Sequence, residues 1–153
     1  MNITFKKVDI AKSFETFFGI RLLAHQELKY TPNLDPVYIR QFAERVLDSF
    51  GNQAFWHLYD DEILIGQLEV GVKRNNGYVF LFYIYPEYRG MGYFRLMHEK
   101  MLEVMNSKEF TEVRLATPPS VIHAINVYHH YGWQNYGPDL DKPEMLGLRL
   151  HLN

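Results

Sequence analysis

Residues 83 to 94, Tyr-Ile-Tyr-Pro-Glu-Tyr-Arg-Gly-Met-Gly-Tyr-Phe, lead from a β-prone aromatic run through a proline and two glycines straight into a segment of helical periodicity. Glycine is about 1 kcal/mol worse than alanine inside a helix, so a helix that opens on Arg89-Gly90-Met91-Gly92 leaves backbone N–H groups accessible at its start. A strand, a glycine turn and a helix start in that order call for helices packed on a sheet. They also bring unpaired donors and the positive end of a helix dipole to one point, which is the recipe for an anion site.

The rest of the chain supplies the sheet. Ile3 to Val8 reads as a strand, and Asp9 caps a helix whose apolar residues Ile10, Phe14, Phe17, Phe18 and Leu22 recur at helical spacing. After a break at Tyr30-Thr31-Pro32-Asn33, Asp35-Pro36 opens a second helix with Ile39, Phe42, Ala43, Val46 and Phe50 on one face. Phe55 to Tyr59, Ile63 to Lys73 and Tyr78 to Tyr85 read as successive antiparallel strands, punctuated by Asp60-Asp61 and Asn75-Asn76-Gly77. A helix over Met91 to Ser107, a strand over Glu112 to Ala116 and a helix over Val121 to Tyr131, stopped by Gly132, follow. Trp133 to Tyr136 and Met145 to Leu152 close the chain as strands. The predicted class is α/β (α+β): a mixed, mostly antiparallel sheet of seven strands with helices on both faces.

At 153 residues and 47% apolar content, residues 1–153 are expected to form one domain. Sixteen basic against eighteen acidic residues give a formal charge of −2, without the basic excess of a nucleic-acid binder. No cysteine is present, which removes disulfides, thiolate nucleophiles and thiolate-bound zinc and fits a reducing cytoplasm. The N-terminus lacks the apolar core of a signal peptide, and no apolar run reaches the ~18 residues of a membrane span, so a cytoplasmic protein is expected. His123 and His130 lie near one helical face, but no third ligand is spaced for them, and no metal is expected. The Met97, Met101, Met105 stripe reads as core filling.

Three chemistries use a glycine turn at a helix start. A Walker loop needs Gly-Lys-Ser/Thr, and Gly92 is followed by Tyr93-Phe94-Arg95; a dinucleotide fingerprint needs a third glycine where Arg95 stands. The remaining pattern, Arg89-x-x-Gly92 after a strand ending in Tyr-Ile-Tyr-Pro-Glu-Tyr, resembles the GNAT acyltransferase superfamily, and Ala124-x-x-x-Tyr128-x-x-x-Gly132-Trp133 resembles the signature of its fourth helix. With the element order, the resemblance covers roughly residues 3 to 152. It implies a GNAT-like fold, a splayed sheet, and an acyl-CoA co-substrate, acetyl-CoA by default, whose pyrophosphate lies over Arg89 to Phe94. The amides of Gly90, Met91, Gly92, Tyr93 and Phe94 would receive it and Arg89 would add charge, while the resemblance puts the pantetheine on the backbone of Tyr83, Ile84 and Tyr85.

The resemblance also implies that Tyr128 is the general acid that protonates the leaving thiolate; the alternative is a tyrosine that only packs its helix. The family's strand-4 carboxylate has no counterpart in Tyr78 to Tyr83, which leaves Glu69, in a face shared with Gln67, as the nearby candidate base or as a structural ion-pair partner. Phe94 stands where the family has glycine or alanine, and its ring either turns into the core or crowds the phosphates.

The function expected is N-acyl transfer to a primary amine by direct attack in a ternary complex; the alternatives are a non-catalytic acyl-CoA-binding module and a small-ligand or protein-interaction domain. The acceptor, a small molecule or a peptide, is expected to contact His25 to Tyr38 and the region after Trp133, where Glu27, Asp35 and Asp139 are candidates for attracting a cation. An exposed C-terminal strand over Met145 to Leu152 would allow pairing in a homodimer.

Overall fold

The computed structural model describes residues 1–30 and 33–153, so Thr31 and Pro32 of the expected break lie outside the described residues. Strand β1 (Ile3–Lys7) runs into helix α1 (Ile10–Leu28), which starts where the Asp9 carboxylate accepts the N–H of Lys12 at 3.2 Å. Helix α2 (Pro36–Phe50) has Asp35 as its cap, accepting from Val37 and Tyr38 N–H at 2.8 and 3.3 Å, with Pro36 in the first turn. Strands β2 (Phe55–Asp60), β3 (Ile63–Lys73) and β4 (Asn76–Ile84) form an antiparallel meander. Helix α3 (Tyr93–Ser107), strand β5 (Glu112–Thr117), helix α4 (Ile122–His130) and strands β6 (Gln134–Pro138) and β7 (Leu146–His151) complete the chain.

All seven strands share one sheet in the order β1-β2-β3-β4-β5-β7-β6, so the expected mixed α/β architecture is the one observed. Every neighbouring pair is antiparallel except β4 and β5. That parallel pair is short: only Gly77 with Val113 and Tyr78 with Arg114 are in register, although β4 continues to Ile84 and β5 to Thr117. Beyond Tyr78 the two strands diverge, and the backbone donors and acceptors on their facing edges are left without a ladder partner.

The chain's ends correct one expectation. Strand β7 is interior, paired with β5 on one side and β6 on the other, so Met145 to Leu152 offers no free edge for a dimer. The sheet's edges are β1 and β6.

One local boundary also moves. The β3–β4 turn is Arg74-Asn75, at φ 52° and 66°, both in the left-handed region that a tight hairpin requires, and Asn76 and Gly77 already belong to β4. Gly77 serves packing: a Cβ there would meet the Met105 sulfur at 2.6 Å. Met97, Met101 and Met105 are all fully buried, which fixes α3 against the sheet in the way their spacing predicts. Among the described residues, no helix is long and apolar enough to cross a membrane.

Candidate active site

The divergence of β4 from β5 opens a cleft of about 320 Å³ lined by β4 from Val79 to Ile84, by Leu115 to Thr117 of β5, and by Ala124, Val127 and Tyr128 of α4. Arg89 and Phe94, on either side of the glycine turn, line it as well. Helix α3 begins at Tyr93, two residues later than the periodicity predicts, because Gly92 at φ 90° is its N-cap and Gly90 at φ 76° precedes it in the same left-handed region. A side chain at either position would cost about 1–2 kcal/mol from backbone conformation alone. Nothing lies within 4 Å of where either Cβ would stand, so the space above the turn is open. The N–H groups of Gly90, Met91 and Gly92 make no backbone hydrogen bond among the described residues, and those of Tyr93 and Phe94 are first-turn donors without an intrahelical acceptor. Five successive amides therefore lack a backbone acceptor, and Gly90, Met91 and Gly92 among them are exposed.

Side chains around the turn are held away from it. The Tyr93 hydroxyl donates to Asp60 Oδ2 at 2.6 Å, and that hydrogen bond holds the phenol above and the carboxyl below its ordinary pKa. The Phe94 ring sits edge-on to Phe82 and Tyr131, each at 5.2 Å, and 6.2 Å from Tyr128. Half-buried, Phe94 packs into an aromatic cluster between α3 and α4 and also lines the cleft. Buried His98 joins this cluster: its Nε2 accepts from Trp133 Nε1 at 2.9 Å, and burial lowers its pKa to about 4.

Arg89 does not lie free over the turn. Its Nε donates to the Ile84 carbonyl at 2.8 Å, and its Nη2 donates to both oxygens of Glu27 at 3.1 and 2.8 Å. The Tyr83 hydroxyl donates to the same carboxylate at 2.9 Å, and burial with this bond raises its pKa. Tyr83 and Ile84 line the cleft. The Tyr85 N–H is already spent on the Ile65 carbonyl at 2.9 Å, and its ring packs on Tyr83 with the α1 cluster of Ile20 and Ala24.

Tyr128 projects from α4 into the cleft, one turn after Ala124. Its hydroxyl makes no hydrogen bond among the described residues, and burial lifts its pKa to about 12, which keeps it protonated. Glu69 lies elsewhere. It is fully buried, accepts from Arg21 Nε at 3.0 Å with both oxygens and from Gln67 Nε2 at 2.9 Å, and lines neither this cleft nor the cavity behind it.

That second cavity, of about 440 Å³, lies on the other side of the splay. Leu28, Val79 to Leu81 and Ala116 line both spaces, so the two meet where β4 leaves β5. Its outer wall comes from α1, α2 and the segment before β7, including His25, Tyr30, Tyr38 and Met145. Glu27, Asp35 and Asp139 are absent from it: the first holds Arg89, the second caps α2, and the buried third accepts the N–H of Asp141 and Lys142 at 3.1 and 3.0 Å.

The model of the acetyltransferase (GNAT) family matches residues 19–133, a span that contains the β4/β5 splay and the glycine turn. The chain belongs to the GNAT family. Solved structures agree in fold over nearly the whole GNAT chain. An acetyltransferase from Streptococcus agalactiae has a TM-score of 0.80 at 16% identity, covering 99% of each chain. The PaiA N-acetyltransferase from Thermoplasma acidophilum, in complex with coenzyme A, has a TM-score of 0.72 at 17% identity, covering 99% of this chain and 100% of that one. The ribosomal-protein-S18-alanine N-acetyltransferase from Escherichia coli has a TM-score of 0.72 at 16% identity, covering 99% and 94%. No curated protein sequence matches the GNAT chain.

Proposed function

We propose that the protein transfers an acyl group, acetyl by default, from acyl-CoA to a primary amine, with the CoA in the β4/β5 cleft and the amine entering from the cavity behind it. The observation that carries this reading is a cleft that joins an unpaired β4 edge to the Tyr128 side chain, with five turn amides that lack a backbone acceptor beside its lining residues Arg89 and Phe94. A pyrophosphate fits the amides because they need an acceptor and the helix dipole favours negative charge there. Peptide-like groups of a pantetheine fit the β4 edge as an added strand would. Acyl-CoA supplies the activated thioester.

The residues then divide the work. The cleft and cavity hold amine nitrogen and thioester carbon in line, and β4 N–H groups that face the splay polarise the carbonyl oxygen. As the C–N bond forms and the C–S bond breaks, the proton that the sulfur takes comes from Tyr128, and the phenol regains one from the amine nitrogen through solvent. A phenol at about 12 is a weak acid, but the same loss of water raises the proton affinity of a thiolate leaving into the same cleft. Glu69 has no place in this proton path, since its oxygens are enclosed by Arg21 and Gln67.

Thiol release from acetyl-CoA with a panel of amines tests the reading, alongside calorimetry with CoA. Turnover that drops in Tyr128→Phe while CoA still binds supports it. Tight CoA binding with no turnover on any amine would instead identify a non-catalytic acyl-CoA-binding module, and no CoA binding would remove both.

A further inference from the structure

The cavity behind the splay has a one-sided charge. Four basic side chains, Arg21, Arg45, Lys73 and Lys142, line it, and no carboxylate does. The acids around them are engaged: Glu69 holds Arg21, Asp141 is shared by Lys73 and Arg74 at 3.3 and 2.8 Å, and Asp139 is bonded to two backbone N–H groups and to the hydroxyls of Tyr78 and Tyr136. Lys142 and Arg45 have no carboxylate within ion-pair distance among the described residues. Asp139, and after it Glu144, offset part of the charge on Lys142 without pairing with it.

The positive charges act on one another. Burial, then Lys73 and Arg21, push the Lys142 pKa down. Burial, then Arg21 and Lys142, push His25 to about 4, so its imidazole is neutral, and its buried Nδ1 has no hydrogen-bond partner. Like charges held together in a half-buried space repel more strongly than in water, and a bound anion relieves that repulsion.

We infer that the acceptor is a small amine carrying an anionic group, a carboxylate or a phosphate, which seats among Lys142, Arg45 and Lys73 with its nitrogen directed through the splay toward Tyr128. This rests on the reading of the second cavity as the acceptor's entrance. The aromatic walls of Tyr30, Tyr38 and Phe42 and a volume of about 440 Å³ suit a compact molecule. The same field disfavours an ammonium, so the amine is held as its neutral, nucleophilic form without a carboxylate base. This accounts for a β4 that carries no acid over Tyr78 to Ile84.

Matched amine pairs test the inference: an amino acid against its amide, and an amino sugar phosphate against the free amino sugar, each with acetyl-CoA. The expected result is kcat/KM at least about tenfold higher for the anionic member, a size set by one added charge-assisted contact. Lys142→Gln and, separately, exposed Arg45→Gln should erase most of that preference by raising KM for the anionic amine, with CoA calorimetry on each variant reporting that it is folded. A readout without turnover uses glutarate and inorganic phosphate as probes: each should raise the Tm of the wild-type protein and do so less in Lys142→Gln. Preference for neutral or cationic amines, or probes that leave the wild-type Tm unmoved, would overturn it. Failure of CoA to bind would instead strike the acyltransferase reading itself.

Discussion

Arg89 Nη2 donates to both carboxylate oxygens of Glu27, at 3.1 and 2.8 Å, while Arg89 Nε closes on the carbonyl of Ile84 at 2.8 Å. One guanidinium therefore ties the last turn of α1 to the end of β4 and to the turn that follows it. Its charge is met by Glu27, so under the proposed function the attraction for a pyrophosphate falls to the amides from Gly90 to Phe94.

This predicts an unusual sign for Glu27→Gln. Were Arg89 a direct phosphate ligand, removing the competing carboxylate would free it and tighten CoA binding. With Arg89 as a clamp, the variant loosens the turn, and the dissociation constant for CoA should rise about threefold, the scale of a partly exposed ion pair. Arg89→Met should raise it further, since the bond to Ile84 goes as well. Calorimetry with CoA checks both, and tighter binding by Glu27→Gln would refute the clamp.

Tyr128→Phe removes a hydroxyl that has no hydrogen-bond partner among the described residues and keeps the ring packed against Phe82, Phe94 and Trp133. kcat should fall about a hundredfold with little change in KM or Tm, the pattern of an interaction made only in the transition state. With the phenol held at about 12, Tyr128 stays protonated through neutral and mildly alkaline pH, so it contributes no falling alkaline limb there. An unchanged kcat in Tyr128→Phe would return the residue to a packing role.

Glu69→Gln separates a base from a structural acid. It leaves the buried guanidinium of Arg21 without its counter-charge, and breaking a buried pair from one side costs about 3–5 kcal/mol. Stability in urea should drop by that order. A variant of unaltered stability whose kcat collapses would instead make Glu69 the base.

Much of this architecture was legible because its signals are local. Asp9 and Asp35 cap the helices that they precede in sequence, the methionine spacing gave the buried face of α3, and the two glycines marked a helix start with free amides. What could not be read depends on partners far apart in the chain. Alternation of Leu146, Leu148 and Leu150 identifies β7 as a strand but does not say that β5 and β6 flank it. Glu27 and Arg89 are 62 residues apart, and Arg21 and Glu69 are 48 apart, so neither pairing leaves a periodic trace. Gly77 looked like part of a turn, but its lack of a side chain answers to Met105. The basic wall of the second cavity draws on α1, α2, β3 and the segment before β7, and only the fold brings these side chains to one space.

Stability should depend on pH through the histidines. His25 and His98 are held near 4 in the folded protein, chiefly by burial, against about 6.5 in the unfolded chain, and His57 is lowered in the same direction by burial. A lowered folded pKa means that the unfolded state binds more protons between those values, so stability rises with pH across that window. The contribution is complete above pH ~6.5 and is lost progressively as pH falls toward ~4, where the imidazoles must charge inside the fold. Tm measured from pH 7.5 down to 4.5 should decline throughout this interval. In His98→Gln, whose side-chain carbonyl can still accept from Trp133 Nε1, the decline should be shallower than in the wild type. An equal slope in the two proteins would show that His98 takes no part in it.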